Sequence, residues 1–235
     1  MLTFKQFLSE GGNIWKDTGP IKKEHVPGIL KTIEKIIPKQ IKVIPHIGSA
    51  GFKKESGDMD IFLDAQGVMD FFNAKDEKAA RAALKAHLEK EGYTVALSGR
   101  NVHVKLETPS NSVQVDLMVI PNAEKVAPFH QHGLTGEYDD PSFKGGELFI
   151  LYASIAKALG LKFSPFEGKL TSRETGEVIA DTKDEVAKVL LNKRGTAKNL
   201  SSIKSILAAL KNDPMRDEKL AQAKEDEKKG LIKLS

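Results

Sequence analysis

Three aspartates, Asp58, Asp60 and Asp116, have the spacing and surroundings of a metal site. Asp58 and Asp60 are separated by one residue in GDMDIFL, where apolar and polar residues alternate as in a strand. Residues two apart in a strand project from the same face, so these two carboxylates are predicted to stand side by side, with Met59 and Ile61 facing the core. Asp116 lies in VQVDLMVI, where an ionised side chain is costly unless it is paired or coordinates a cation.

Three carboxylates that converge at one sheet edge would suit a pair of Mg²⁺ ions. Mg²⁺ prefers oxygen ligands and keeps coordination positions for water and phosphate. Two ions about 3.5–4 Å apart can activate an attacking hydroxyl and stabilise the oxygen that leaves phosphorus. The sequence therefore predicts phosphoryl-type transfer, with the three aspartates as metal ligands and catalytic residues, and with Mn²⁺ as an ion that can replace Mg²⁺.

The segment before the first aspartate carries groups that can hold phosphate. Gly48 and Ser49 offer backbone N–H groups and a hydroxyl, and Lys53 or Lys54 adds positive charge nearby. Taken alone, an Asp-x-Asp pair is more often a solvated strand edge or a helix cap, and a Gly-Ser pair is common in turns. The order of these groups along the chain is the stronger signal.

That order resembles the signature of the polymerase beta nucleotidyltransferase superfamily: a Gly-Ser pair, eight residues, an Asp-Met-Asp, and an aspartate on a later strand. The string SGDMDIFL is similar to the palm of family X DNA polymerases. The resemblance implies that Asp58 and Asp60 hold both metals and that Asp116 binds the catalytic metal and helps to deprotonate a primer hydroxyl. It also implies that Ser49 and Gly57 contact a nucleoside triphosphate.

The resemblance continues beyond the palm. The segment Leu134-Thr135-Gly136 stands where the family has a sugar-contacting Phe-Thr-Gly, so Thr135 and Gly136 are predicted to contact the nucleotide. ALGLKFSPFEGKL and GEVIADTKDEVAKVLL are similar to the family's thumb. Gln114 replaces a frequent arginine and Glu137 replaces a small residue, so tight nucleotide selection is not implied. Only about forty residues precede the palm, which implies a minimal palm-plus-thumb enzyme without the family's lyase domain.

The predicted fold class is α+β, with a nucleotidyltransferase palm built on a mixed or antiparallel sheet, flanking helices, a small thumb-like α/β subdomain and C-terminal helices. Turn signals between the last three palm strands predict an antiparallel meander. After Pro121 the pattern is loop-like through Asp140, and from Asp213 it fits either a solvated helix or disorder. The predicted divisions are a cleavable peptide (1–10), a helical segment (11–40), the palm (41–122), the thumb-like subdomain (123–194) and a helical, partly disordered tail (195–235).

The opening decapeptide MLTFKQFLSE is similar to the capsid-targeting peptides of internal proteins in large tailed bacteriophages. In those proteins a prohead protease cleaves after a Leu-x-Glu site, here Leu8-Ser9-Glu10, which would leave Gly11 as the first residue. The resemblance implies an enzyme that is packaged in the virion interior and delivered to the host cytoplasm. The alternative is an amphipathic helix that packs on the domain of a cytoplasmic protein.

Composition narrows the classes of function without selecting one. The chain has 235 residues, a formal charge of +4 and no cysteine, so disulfides, thiolate nucleophiles and zinc–thiolate sites are excluded. No apolar run is long enough to cross a bilayer, and no secretory signal is present, so we expect a soluble protein without a membrane partner. Lysines and acids are interleaved, which suits a polyanionic partner and an ordinary solvated surface equally.

For several other polar residues the sequence gives weaker support to a functional role. His130 and His132 alternate as metal ligands can, but no third ligand stands near them in sequence, which favours a loop role. His103 is predicted to be packed or hydrogen-bonded rather than a general base. Arg100 and Lys105 could face a nucleotide cleft or a solvated strand edge.

Together these patterns predict a two-metal enzyme that moves a nucleoside monophosphate from a (d)NTP to a hydroxyl, with the 3′ end of DNA as the expected acceptor. The first alternative is transfer to tRNA, a protein or a small molecule, because the signature fixes the reaction and not the acceptor. The second alternative is a packaged, non-catalytic DNA-binding protein that keeps the fold.

Overall fold

A computed structural model describes residues 14–136, 138 and 143–234. The chain divides into two compact units, one up to Ala127 and one from Pro128 onward. The predicted targeting peptide and Glu137 lie outside the described residues. Within the described part of the chain, no helix is both long and apolar enough to cross a membrane.

The first unit is built on a five-stranded sheet with the strand order β2-β4-β7-β6-β5. A separate two-stranded ribbon pairs β1 with β3 in antiparallel fashion. The strands of this unit are β1 (Ile21–Lys22), β2 (Val43–Ile47), β3 (Glu55–Ser56), β4 (Met59–Asp64), β5 (Thr94–Ser98), β6 (Asn101–Glu107) and β7 (Ser112–Ile120).

One pairing in the five-stranded sheet is parallel, namely that of β4 with β7, and the other three are antiparallel. The meander of β5, β6 and β7 is confirmed, as is the α+β class with mixed and antiparallel sheets. Parallel strands need a long connection, and here the segment between β4 and β7 holds two helices and the β5–β6 hairpin. This crossover brings two distant carboxylate-bearing segments next to each other.

Three helices cover one face of this sheet. They are α1 (Val26–Ile36), α2 (Ala65–Phe72) and α3 (Glu77–Lys90). Their buried residues share one core with alternate strand residues such as Ile61, Val104 and Leu117. Because strand side chains alternate between faces, the residues between these apolar ones project from the opposite face. Helix α2 was not predicted, and its start is fixed by Asp64, whose side chain accepts a hydrogen bond from the Gly67 N–H (3.1 Å).

The second unit has the predicted order of a helix, a small sheet and further helices. Helix α5 (Gly145–Ala158) is buried on most sides, and a three-stranded antiparallel sheet follows it. Thr182 caps the next helix in a capping box with Glu185. The remaining elements are β8 (Leu161–Ser164), β9 (Lys169–Ser172), β10 (Val178–Ala180), α6 (Lys183–Leu190), α7 (Ile203–Ala209) and α8 (Arg216–Lys228).

The predicted loop after Pro121 is wrong. Helix α4 (Ala123–His130) and a 3₁₀ turn (His132–Thr135) occupy this region. Pro128 inside the segment argues against a helix because it removes a backbone donor. Val126 and Phe129 are nevertheless fully buried, and packing of this kind overrides a local propensity.

The C-terminal segment is a packed helix, so neither predicted form of it, a solvated helix or disorder, describes it fully. Helix α8 packs against α5 and buries Leu220 and Ala223. Lys219 is also buried, and its Nζ donates to the carbonyl oxygen of Leu191 and to Asp213 Oδ2, each at 2.8 Å. A polar anchor of this kind is not visible in a sequence pattern dominated by lysine and glutamate.

Replacing Lys219 by methionine is expected to destabilise the protein by about 3–5 kcal/mol, because it leaves the Asp213 carboxylate without its cationic partner and with only the Met215 N–H as a donor. The measurement is urea unfolding. The double variant Lys219→Met/Asp213→Asn should recover part of the loss, since no uncompensated charge remains. Lys228→Met, on the exposed side of the same helix with a solvent-exposed partner, serves as control and should change stability by less than about 1 kcal/mol. Equal losses for both lysines would contradict the anchor.

Candidate active site

The parallel pairing of β4 with β7 places Asp60 directly opposite Asp116. The same row continues across the sheet to His103 on β6. Residues in register on neighbouring strands project from the same face, so Asp60, Asp116 and His103 form a polar row on the face opposite the three helices. Strands in a sheet lie about 4.8 Å apart, which makes the two aspartates immediate neighbours.

Asp58 joins this pair from the residue just before β4. Burial and then the charge of Asp116 raise the pKa of Asp58 to about 6. Burial and then the charges of Asp58 and Asp116 raise the pKa of Asp60 well above its ordinary value. Each of the three carboxylates thus lies within electrostatic reach of the others, and the structure brings together the three aspartates that the sequence selected.

Carboxylate oxygens, which these three aspartates supply, are the donor type that Mg²⁺ prefers. Burial and then mutual repulsion raise the pKa values of Asp58 and Asp60, and a divalent cation would offset the repulsion. As the side chains stand, no three His, Asp or Glu residues in the described ranges form a metal-binding group. The fit to a cation therefore rests on donor chemistry and electrostatics.

Hydrogen bonds stabilise the buried carboxylate of Asp116. His103 Nδ1 lies 2.7 Å from Oδ1, and Gln114 Nε2 donates to the same oxygen at 2.9 Å. Asn101 Nδ2 donates to Oδ2 at 3.3 Å. Three donors lower the free-energy cost of placing an acid among apolar strand residues. They explain in part how VQVDLMVI accommodates an aspartate.

The segment that precedes β1 contacts Gln114, one of the hydrogen-bond donors to Asp116. The Ile14 N–H donates to Gln114 Oε1 at 2.7 Å, which fixes the orientation of the Gln114 amide and points its Nε2 at Asp116. Asp17 pairs with Lys105 at 2.5 Å. The ammonium group of Lys105 therefore forms an ion pair within the protein. Neither predicted environment, a nucleotide cleft or a solvated strand edge, describes this residue fully.

The turn after β2 has an unusual backbone that brings it close to Asp60. The β2–β4 pairing is irregular between Ile44 and Ile47, and His46 and Gly48 have positive φ angles of 65° and 70°. A Cβ atom at Gly48 would lie 3.0 Å from Asp60 Oδ2. A glycine is therefore favoured at position 48, both by its backbone conformation and by the approach of the carboxylate.

The other predicted nucleotide-binding residues lie in two separate places. The Ser49 carbonyl accepts the N–H of Lys53 at 3.1 Å, and Ser49 Oγ lies 2.9 Å from Ser56 Oγ, so Ser49 closes the turn near the carboxylates. Lys54 and Gly57 are exposed beside the same turn. Thr135 and Gly136 belong to the second unit, where Gly136 has a φ of 82° and ends the 3₁₀ turn.

The histidine predictions have mixed outcomes. His103 is packed and hydrogen-bonded, as predicted. His130 ends helix α4 instead of lying in a loop, and its Nε2 lies 3.0 Å from the Pro165 carbonyl oxygen. Burial lowers the pKa of His130 to about 4 and that of His132 to about 3. Both are neutral, buried side chains within an aromatic cluster that includes Phe149.

Sequence reasoning did not identify the partners of Asp116. Asn101, His103 and Lys105 alternate in NVHVKLE, which marks one polar face of β6. Combined with the predicted β6–β7 hairpin, that alternation is a signal that could have placed this face beside Asp116. The contact from Ile14 has no comparable signal, because it depends on the path of an irregular segment.

The chain matches no model of a protein family and no curated protein sequence. The assignment of function is therefore carried by the geometry around the three aspartates and by the motif that contains them.

In metal-free protein, Asp58 should make the free energy of unfolding fall as pH rises. Between its ordinary value of 3.8 and about 6, the folded state holds its proton more tightly than the unfolded chain, so stability is lost as pH rises through this window. Asp58→Asn removes the effect. At pH 7 its free energy of unfolding should exceed that of wild type by about 1–3 kcal/mol. Urea unfolding in EDTA from pH 4 to pH 7 measures the difference.

The matched control for this experiment is Asp70→Asn, which changes an exposed aspartate of helix α2. Its stability should keep the pH dependence of wild type. A gap between wild type and Asp58→Asn that does not widen with rising pH would contradict the raised pKa.

Gly48→Ala is expected to destabilise the protein by about 1–3 kcal/mol, because alanine is strained at a φ of 70° and its Cβ crowds Asp60 Oδ2. Gly28→Ala is the control, since Gly28 lies within α1 with no atom in the way of a Cβ. It should be neutral or stabilising by up to about 1 kcal/mol. The measurement is urea unfolding of both variants. Equal changes in the free energy of unfolding would show that the turn is not constrained.

Proposed function

We propose that this protein is a two-metal nucleotidyltransferase that moves a nucleoside monophosphate from a (d)NTP to a hydroxyl group, with the 3′ end of DNA as the acceptor. The observation that carries the proposal is the parallel register that sets Asp60 opposite Asp116, with Asp58 two residues away. The resemblance of SGDMDIFL to the family X palm supports the same reaction. It would make this protein a minimal polymerase of that type.

In the proposed reaction, the acceptor oxygen forms a bond to the α-phosphorus of the nucleotide. The bond from that phosphorus to the bridging oxygen breaks, and pyrophosphate leaves with the bonding electrons. Asp116 accepts the proton of the hydroxyl, directly or through water. Asp58, Asp60 and Asp116 would hold two Mg²⁺ ions, which lower the pKa of the hydroxyl and offset the charge that develops on the leaving oxygen.

The turn at Gly48 and Ser49 is proposed to bind the triphosphate. Positive φ angles at Gly48 and Gly51 bend the backbone sharply beside Asp60, and turns of this kind can present N–H groups to anions. Lys53 and Lys54 add positive charge to the same turn. Thr135 and Gly136 are assigned to the sugar by resemblance.

The choice of DNA as acceptor rests on two weaker observations. The segment from the end of α5 through α6 is similar to the family X thumb, and enzymes that modify small molecules do not need a thumb. The net charge of +4 also suits a polyanionic partner. Packaging in a virion is proposed from residues 1–10 alone, and these lie outside the described residues.

The decisive experiment incubates purified protein with labelled nucleotides, Mg²⁺ or Mn²⁺, and three acceptors: gapped duplex DNA, single-stranded DNA and tRNA. We expect extension of the recessed 3′ end in the gap. Asp60→Ala and Asp116→Ala should abolish transfer, since each removes a metal ligand, while their circular dichroism stays that of wild type. Asp70→Ala, at an exposed site of the same unit, should retain full activity.

Each remaining result selects another function. Incorporation only into tRNA, a protein or a small molecule would replace the polymerase by another nucleotidyltransferase. DNA binding without transfer to any acceptor would favour the non-catalytic DNA-binding protein. For the polymerase, DNA affinity should fall steeply between 50 and 200 mM salt, because phosphate contacts dominate binding (about tenfold or more for several contacts).

A further inference from the structure

The buried hydrogen bond between His103 and Asp116 defines how the carboxylate is presented. His103 is 4% exposed, and its Nδ1 lies 2.7 Å from Asp116 Oδ1. The two residues are direct partners across β6 and β7, so backbone pairing holds their Cα atoms in place. Because a carboxylate oxygen accepts hydrogen bonds, the short contact assigns the Nδ1 proton to His103 as donor. Gln114 Nε2 lies 3.4 Å from the same nitrogen and donates at 2.9 Å to Asp116 Oδ1 instead.

The two oxygens of Asp116 differ in what they can still bind. Oδ1 accepts from both His103 and Gln114, at 2.7 and 2.9 Å, which uses both of its lone-pair directions. Oδ2 has one long hydrogen bond, 3.3 Å from Asn101 Nδ2. The capacity to bind a cation or to take a proton therefore lies on Oδ2.

The other ring nitrogen of His103, Nε2, lowers the stability of the folded protein. Nε2 is buried and has no hydrogen-bond partner among the residues that the structure describes. An unsatisfied buried polar atom destabilises the folded state, and an apolar side chain of similar size at this position would avoid that destabilisation. Packing alone does not account for a histidine here, whereas the donor at Nδ1 does.

We infer that His103 is a positioning residue that fixes the Asp116 carboxylate through Oδ1, so that Oδ2 is the oxygen offered to the reaction. This inference rests on the proposed function, because it assigns a role within that site. His103 acts through Asp116 and not on the substrate. Hydrogen-bond partners behind a metal-ligating side chain typically change metal affinity or activity by about 10–100-fold when they are removed.

Two substitutions of matched shape separate the hydrogen bond from the bulk of the side chain. In His103→Asn the amide nitrogen is bonded to Cγ, as Nδ1 is in histidine, so a donor to Oδ1 is retained. His103→Leu has the same branching as asparagine at Cγ and has no donor. Both variants remove the unpaired Nε2, so this atom does not distinguish them.

The experiment measures Mn²⁺ affinity by electron paramagnetic resonance, without nucleotide, and kcat and KM for nucleotide at saturating Mg²⁺. His103→Leu should weaken Mn²⁺ binding and lower kcat, each by about 10–100-fold, with little change in the KM for nucleotide. His103→Asn should stay close to wild type in both. A role in folding alone would lower the fraction of active protein and leave the Mn²⁺ affinity of the folded fraction unchanged.

Two results would overturn the inference. One is a His103→Leu variant that matches wild type in Mn²⁺ affinity and kcat, and the other is a His103→Asn variant as impaired as His103→Leu. If His103→Leu fails to fold, ¹⁵N NMR of wild type still tests the contact, because an Nδ1 without a proton contradicts it.

The metal-binding measurement separates this inference from the proposed reaction. Wild type that binds Mn²⁺, with weaker binding in His103→Leu, supports positioning even if no acceptor is extended, in which case only the proposed reaction fails. Wild type that binds no Mn²⁺ and transfers no nucleotide overturns both.

Discussion

The structure of the first unit depends on a parallel pairing that forces like charges together. Strands β4 and β7 meet in a register that sets Asp60 against Asp116. Burial and then the charges of Asp58 and Asp116 raise the pKa of Asp60. The opposite face of the same strands is wholly apolar and is sealed by three helices. Because a one-residue slip would turn the aspartates into that core, the apolar face maintains the register that the charges alone would oppose.

Strand and helix positions were largely readable from the sequence, because alternation and helical spacing are local properties. The meander of β5, β6 and β7 follows from such a pattern. Helix α4 was missed because Pro128 opposes it locally and only burial of Val126 and Phe129 supports it. The packed form of α8 was missed for a similar reason, since Lys219 appears solvent-exposed until its partners, Leu191 and Asp213, are known.

In the candidate site, too, local sequence features could be predicted, whereas contacts between distant parts of the chain could not. The Asp-x-Asp spacing and the buried aspartate were visible in the sequence, and the Gly-Ser turn was visible as well. The parallel β4–β7 pairing was not, because the connection between these strands spans two helices and a hairpin. The roles of His103 and Asn101 follow only once the register of β6 on β7 is fixed.

The contact between Ile14 and Gln114 makes the N-terminal segment part of the site's electrostatics. A backbone N–H at Ile14 holds the oxygen end of the Gln114 amide and leaves the nitrogen end facing Asp116. Without that donor the amide can rotate by half a turn and present its oxygen to a carboxylate oxygen, two acceptors in repulsive contact. Proteins prepared without Ile14 thus lose one of the two hydrogen bonds that orient the Gln114 amide at Asp116, although every strand and every acidic residue of the site remains in place.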